Sequence, residues 1–459
     1  MMYDLKIRNA KILELDSNQE TICNIGIKDG AISCIGYCPE SSREEIDAKG
    51  SIVSPGFIDI HMHEETLKSY KISSPYDISH SMLLMGVTTC VAGNCGINKQ
   101  SLEDFVEFIN HNGAPTNYMS FVGHNYLRNV VGNINPYNKS SAIQIDDMKR
   151  LVIKAVEGGA LGVSFGLEYS PGTDLEEVFQ LCSAVDDRNM LLSAHYRKDA
   201  RYAVQSLNEL IQISTATNFP MQISHIGSCC AYGMMQECLD IIKQAIDHGI
   251  DLSIDCYPYD AFGTYIGSAV FDEGCFELWN KSYDSILLTE GEYRGIRCDK
   301  DLFYQMRSEY PEIEVITFVM NEDEVIQAIQ SPLVMVASDG FFKNGQGHPR
   351  GAGTFPRVLG RYVRENQYLT LVDALKKMTS MPAKRLGLSN KGEVTEGFDA
   401  DLVIFNPDTI NDLATFEEPK TPPVGIDYVI VNGEIAVQKG VILNDRLGRY
   451  IPANLSSRS

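Results

Sequence analysis

Apolar and polar residues alternate through the first fifty positions. In DLKIRNAKIL (4–13) and CNIGIKDGAISCIG (23–36) apolar side chains recur at nearly every second position, the period of a strand with one buried face. Asp29-Gly30 interrupts the second run with a dipeptide that two-residue hairpins favour. The C-terminal part reads the same way in ADLVIFNP (400–407) and GIDYVIVNGEIAVQKG (425–440), where Asn432-Gly433 supplies the turn. The pattern predicts a small β unit at each end, flanking a centre of another kind.

In that centre, short apolar runs alternate with longer helix-like segments, which predicts βα units and a parallel sheet. Eight runs qualify: GFIDIH ending near 61, GVTTCVAG near 92, YMSFVGH near 124, ALGVSFG near 166, MLLSAH at 195, PMQISH at 225, DLSIDCYPY near 256 and PLVMVASD near 339. The ends at 195, 225 and 256 are 30 and 31 residues apart, room for one strand, one helix and two loops. A gap of 83 residues before the last run predicts an insertion after the seventh strand. Eight such units predict an α/β fold, the (β/α)8 TIM-like barrel, with its active site at the C-terminal ends of the strands.

Composition narrows the partners. With 459 residues, 44% hydrophobic and 22% charged, the chain can bury a large core and has no room for long disordered tracts. A net charge of −22 argues against binding nucleic acid or an anionic membrane and favours a small-molecule substrate. No apolar stretch approaches the ~20 residues that cross a bilayer, and the N-terminus lacks the regions of a signal peptide, so the expected location is cytoplasmic. Twelve cysteines without scaffold-like spacing are then expected to be reduced and free to ligate metal.

At or just beyond the predicted strand ends stand His61, His63, Cys95, His124, Glu168, His195, His225 and Asp339, five of the nine histidines among them. A barrel brings these points into one small volume. Alternate strand residues share a face, so His61 and His63 can address one ion while Met62 packs away; two polar residues merely ending a strand would give the same H-x-H. His195 and His225, each closing an apolar run one βα unit apart, favour ligation over two separate structural roles. Imidazole and thiolate suit zinc, so Cys95 of AGNCGIN either joins as a thiolate or is one more buried thiol. Asp339, after PLVMVAS, either caps the next loop or binds metal or water and shuttles a proton, since amide hydrolysis needs a base for water and an acid for the departing nitrogen. Glu168 of SFGLEYSPG has three readings: a bridge between metals, a substrate contact, or the start of a helix.

PGFIDIHMH, GVTTCVAGNCGI, GALGVSFGLEYSPG, QISHIGS, DCYPYDAFGT, SDG followed by GHPRGAGTFPRVLGRYVRE, and KMTSMPAKRLGL leading into KGEVTEGFDADLVIFNP span residues 50–407. Together they resemble the amidohydrolase superfamily, and more closely its N-acyl-D-amino-acid deacylase (D-aminoacylase) family. The resemblance implies a (β/α)8 barrel over 55–385, with an insertion at about 263–330, and a small β-sandwich domain built from 1–54 and 386–459. It implies hydrolysis of N-acyl-D-amino acids to a carboxylate and a free D-amino acid. Zinc would be held tightly on Cys95, His195 and His225, with a weaker site at His61, His63 and Asp339. Cys95 would take the bridging place that a carboxylated lysine holds elsewhere in the superfamily; LGVSFG has no lysine. Asp339 would accept the proton of water and pass it to the leaving amine. Arg350 of GHPR would bind the substrate carboxylate, Tyr169 and Tyr257 would add contacts, and His124 would steady the carbonyl.

One position departs from the family. Relatives often carry a lysine two residues after the strand-six histidine, and here that residue is Gly227. Either Arg350, Arg197 or Lys198 then takes the carboxylate, or the substrate differs from a simple N-acyl amino acid. A cyclic-amide hydrolase would use the same metal chemistry, a mononuclear deaminase would not need Cys95, and a non-catalytic assembly protein on this fold would have lost its ligands, all of which are present.

Overall fold

The structure, a computed structural model, describes residues 2–67, 76–185 and 190–453. The eight apolar runs form eight strands: Phe57–Asp59, Val87–Ala92, Asn117–Ser120 continued by Val122–Gly123, Val163–Gly166, Leu192–His195, Met221–Ile223, Leu252–Cys256 and Val334–Val336. Apart from Ser253 every residue in them is buried. That is why they read as continuous apolar runs: both faces of a parallel strand are covered, one by helices and one by its neighbours across the barrel.

Each strand pairs in parallel with the next, as in Ile58 opposite Thr89, Ala92 opposite Ser120, Val122 opposite Val163, Gly166 opposite His195, Ala194 opposite Ile223, Ile223 opposite Ile254 and Cys256 opposite Val336. The third strand breaks at Phe121, so that its two halves serve different neighbours. The eighth returns to the first just past the strand ends. There Met62 bridges Gly340 in parallel, Asp339 N donates to His61 O at 2.8 Å, and His63 N donates to Gly340 O at 3.0 Å. Beneath, the Asp59 carboxylate accepts from His61 N at 3.1 Å and Ser338 N at 3.0 Å. The residues that join the first strand to the last are thus those that carry the site. Ser101, Ser141 and Asp174 cap the helices Leu102–Asn112, Ala142–Glu157 and Leu175–Cys182, each accepting a backbone N–H of the first turn.

Residues from both chain ends form one nine-stranded sheet. Tyr3–Leu13 pairs with Glu20–Lys28, Ser42–Asp47 and Ile52–Pro55, and Ile52–Pro55 pairs with Leu402–Phe405, which leads to Ile426–Val431 and Glu434–Gln438. Its own core includes Leu5, Ile7, Ile25, Leu402 and Ile430. Both expected turns have two left-handed residues, Asp29 (φ 50°) with Gly30 (80°) and Asn432 (50°) with Gly433 (87°), as a type I′ hairpin requires. The turns also meet: a Cβ on Gly433 would lie 2.7 Å from Gly30 Cα. The buried Asp401 carboxylate, ion-paired with Lys391, accepts from Asn432 N at 2.7 Å and Asn117 Nδ2 at 3.1 Å, tying this sheet to the third barrel strand.

Between the seventh and eighth barrel strands, Phe262–Tyr265, Ile286–Leu288 and Glu314–Thr317 form a three-stranded antiparallel sheet. Among the described residues no helix is long and apolar enough to cross a membrane.

Candidate metal centre and substrate cavity

Six of the predicted side chains converge at the strand ends. Their donor atoms form two groups, His61, His63, Cys95 and Asp339, and Cys95, His195 and His225, with the atoms of each group within 4.8 Å of one another. Cys95 belongs to both. Its Sγ lies 3.3 Å from His61 Nε2 and 3.4 Å from His225 Nε2. His195 Nδ1 is 3.0 Å from His225 Nε2, and Asp339 Oδ1 is 3.0 Å from His63 Nε2 and 3.4 Å from His61 Nε2.

The backbone is strained where these side chains are presented. Cys95 (φ 53°), His225 (32°) and Asp339 (49°) all occupy the left-handed region, which non-glycine residues hold only when their surroundings enforce it. Around Cys95 the enforcement is visible. Asn94 Oδ1 accepts from Ser193 Oγ at 2.9 Å, and its Nδ2 donates to Val91 O at 3.0 Å. Gly96 N donates to Ser164 Oγ at 3.0 Å, and a Cβ on Gly96 (φ 75°) would stand 2.0 Å from Asn125 Oδ1. The Asn-Cys-Gly turn therefore admits no larger third residue.

An outer layer of polar groups fixes the rings. His225 Nδ1 meets Ser228 Oγ at 2.8 Å, and His61 Nδ1 meets Asp255 Oδ2 at 3.4 Å. His195 Nε2 meets Glu168 Oε2 at 3.1 Å. Each ring thereby turns its other nitrogen toward Cys95 or its neighbours, the arrangement that metal-ligating histidines use. Burial pushes the Cys95 thiol above its ordinary range, His61 opposing it, so a cation must displace that proton to gain the thiolate. Among the described residues Glu168 belongs to neither donor group; its carboxylate lies behind His195, a place that none of its three readings named, and burial pushes its carboxyl up to about 8.

Sequence reasoning missed Asp255. Its carboxylate accepts from His225 N at 2.7 Å and Gln222 Nε2 at 2.8 Å besides facing His61, so one residue orients a member of each group. A carboxylate inside the apolar run LSIDC was the available signal. Asp255→Asn is expected to weaken zinc affinity and lower kcat/KM, each by about 10- to 100-fold, as read by chelator competition and steady-state kinetics.

Above the cluster lies a cavity of about 360 Å³, walled by His63, Tyr169, Asp339 and Arg350 among others. Arg350 Nη1 is 2.8 Å from Asp339 Oδ2, and the guanidinium stacks 4.6 Å from the centre of the Tyr257 ring. Burial works against the charge of Asp339, but Arg350, with His61 and His225, holds the carboxyl well below the usual carboxylate range. Arg350 Nε is buried and has no hydrogen-bond partner among the described residues. The Tyr169 ring packs 4.6 Å from that of His195.

One expectation is corrected by placement. His124, expected at the substrate carbonyl, is buried away from the cavity wall with its Nε2 2.8 Å from Glu177 Oε1, and that carboxylate also pairs with Arg128 at 2.9 Å. Of the basic residues weighed in place of Gly227, Arg197 is committed to Glu209 at 2.8 Å, and Lys198 lies 3.8 Å from Glu168. Gly227 itself is packed in: a Cβ there would meet Cys256 Sγ and Met320 Cε, each at 3.1 Å.

The amidohydrolase family profile matches residues 332–437, which include Asp339 and Arg350. N-acyl-D-glutamate deacylase of Alcaligenes xylosoxydans xylosoxydans is 31% identical over 94% of this chain and 93% of its own length. D-aminoacylase of the same organism is 29% identical over 98% and 97%. The solved structure of N-acyl-D-glutamate deacylase from Bordetella bronchiseptica, complexed with zinc and a phosphonate mimic of the tetrahedral intermediate, superposes with a TM-score of 0.88 at 29% identity, covering 99% of this chain and 100% of that one. Barrel, terminal sheet and strand-end donors together define an amidohydrolase. Because the likeness runs almost end to end, the class can be narrowed: the chain belongs to the N-acyl-D-amino-acid deacylase (D-aminoacylase) family.

Proposed function

We propose that this enzyme is a zinc-dependent amidohydrolase that cleaves the amide bond of N-acyl-D-amino acids to a carboxylate and a free D-amino acid. The observation that carries the reading is the thiol shared by two histidine-containing donor groups, set beside a buried aspartate–arginine pair on the wall of a cavity large enough for such a substrate. Sulfur and imidazole donors with their outer nitrogens already engaged suit zinc. We assign the tighter ion to Cys95, His195 and His225 and a weaker one to His61, His63 and Asp339. Zinc, when bound, supplies Lewis-acid activation of the amide carbonyl and of water.

The protein's own groups do the rest. Asp339, kept anionic beside Arg350, accepts the proton of the attacking water and hands it to the leaving nitrogen. Arg350, with a donor still unpaired, grips the α-carboxylate while the Tyr257 ring holds its plane. Tyr169 bounds the substrate on the His195 side. We divide the chain into a sheet domain of 1–54 and 386–459 and a barrel of 55–385 with its insertion at about 263–330, and place the enzyme in the cytoplasm, where its twelve unpaired cysteines stay reduced.

The test is a panel of N-acetyl-D- and N-acetyl-L-amino acids and hydantoins, assayed with zinc and after prolonged chelation. Cleavage confined to the D-series, lost on stripping and restored by zinc, is the expected outcome. Cleavage of hydantoins alone would overturn the reading.

A further inference from the structure

Three basic side chains line the cavity, Lys99, Arg128 and Arg350; burial pulls Lys99 below the ordinary lysine range, with Glu64 opposing the shift. Arg128 is spent on Glu177, with Nη1 at 2.9 and 3.1 Å from its two carboxylate oxygens. Arg350 faces Asp339. Lys99 has no ion-pair partner among the described residues.

Its surroundings are those of a binding group. Lys99 Nζ sits 5.0 Å from the centre of the Phe341 ring and 5.8 Å from that of Tyr265, a distance at which ring faces stabilise an ammonium. It donates to Tyr265 Oη at 3.3 Å. A tyrosine hydroxyl that accepts from an ammonium keeps its own hydrogen to donate onward, so the two side chains present converging donors on the cavity wall. Phe341, in turn, packs edge-on against His63 with ring centres 6.1 Å apart, which sets this pair one aromatic ring away from the metal-facing histidine. The backbone holding Lys99 is anchored, because its N–H and that of Gln100 both donate to the buried Glu64 carboxylate. Of the acids on the same wall, Glu312 is exposed to solvent, and burial pushes Glu314 up to about 8, so that it is largely neutral near pH 7.

We propose that Lys99 and Tyr265 form a second anion clamp, distinct from Arg350, that selects substrates carrying a carboxylate beyond the α-carboxylate. The inference rests on the deacylase reading above, in which Arg350 takes the α-carboxylate. A second carboxylate can belong to the amino-acid side chain or to the acyl group, and the same pair of donors would serve either.

The zinc-loaded enzyme and its Lys99→Met, Lys99→Arg and Tyr265→Phe variants are assayed on N-acetyl-D-methionine, N-acetyl-D-glutamate and N-succinyl-D-methionine. The wild type is expected to prefer one of the two dianions, which identifies where the charge sits. On that dianion Lys99→Met is expected to lower kcat/KM at least about 30-fold, through KM, while changing N-acetyl-D-methionine less than about threefold, consistent with loss of one charge-assisted contact. Lys99→Arg retains most of the preference, and Tyr265→Phe loses a smaller part of it. An equal loss on all three substrates, or wild-type preference for N-acetyl-D-methionine, overturns the second clamp while leaving the deacylase reading in place. A wild type that cleaves none of the three removes that reading and this inference with it.

Discussion

Asp339→Asn is expected to lower kcat on an N-acetyl-D-amino acid by about 10⁴-fold, the upper end of what one proton-transferring group contributes, with zinc at the Cys95 centre retained. The magnitude follows from Asp339 serving twice, as base toward water and as acid toward the amine. The amide keeps the volume of the carboxyl and its contact with His63, so it removes basicity without opening a hole. It also leaves Arg350 facing a neutral group at a site where the carboxylate is now 2.8 Å away. Because Cys95, His195 and His225 form a donor group without Asp339, metal analysis separates lost chemistry from lost metal. A variant that keeps zinc and more than about a tenth of wild-type kcat would show that Asp339 does not carry the proton.

Much of this site was readable before any coordinates, for a physical reason. A parallel barrel strand is an apolar run, and polar residues that close several such runs point to its C-terminal face; His61, His195, His225 and Asp339 were legible by their agreement with one another, not by the position of any one of them. The Asp29-Gly30 and Asn432-Gly433 turns were equally plain, because few dipeptides accept two left-handed residues in succession. Other features depend on contacts that no local pattern encodes. Asp255 orients His61, 194 residues away, and His225, 30 residues away, yet in sequence it is one polar letter in a hydrophobic strand. His124 ends its run as the other histidines do, but the strand breaks at Phe121 and its ring meets Glu177, a carboxylate held in turn by Arg128. Lys99 acquires meaning only when the inserted sheet brings Tyr265 against it.

Cys95→Ala carries the other large expectation: zinc content after dialysis falls from about one to below about 0.2 per chain, and activity falls with it by at least about 10³-fold. Each remaining group would survive with a gap. His195 and His225 alone are a two-nitrogen site, too few for tetrahedral zinc, and His61, His63 and Asp339 lose the sulfur that joins them to the other pair. Burial also raises the Cys95 thiol, so a cation must displace its proton to gain the thiolate, and zinc affinity at Cys95 is expected to rise with pH. Cys90→Ala is the matched control. That thiol is equally buried, on the second barrel strand, accepting from Thr116 Oγ1 at 3.4 Å and belonging to neither donor group among the described residues. Its loss should cost about 1 kcal/mol of stability for the methyl-sized hole and leave zinc in place. Full zinc occupancy in the Cys95→Ala enzyme would place the tight ion on the H-x-H side of the cluster and reverse the assignment of the two sites.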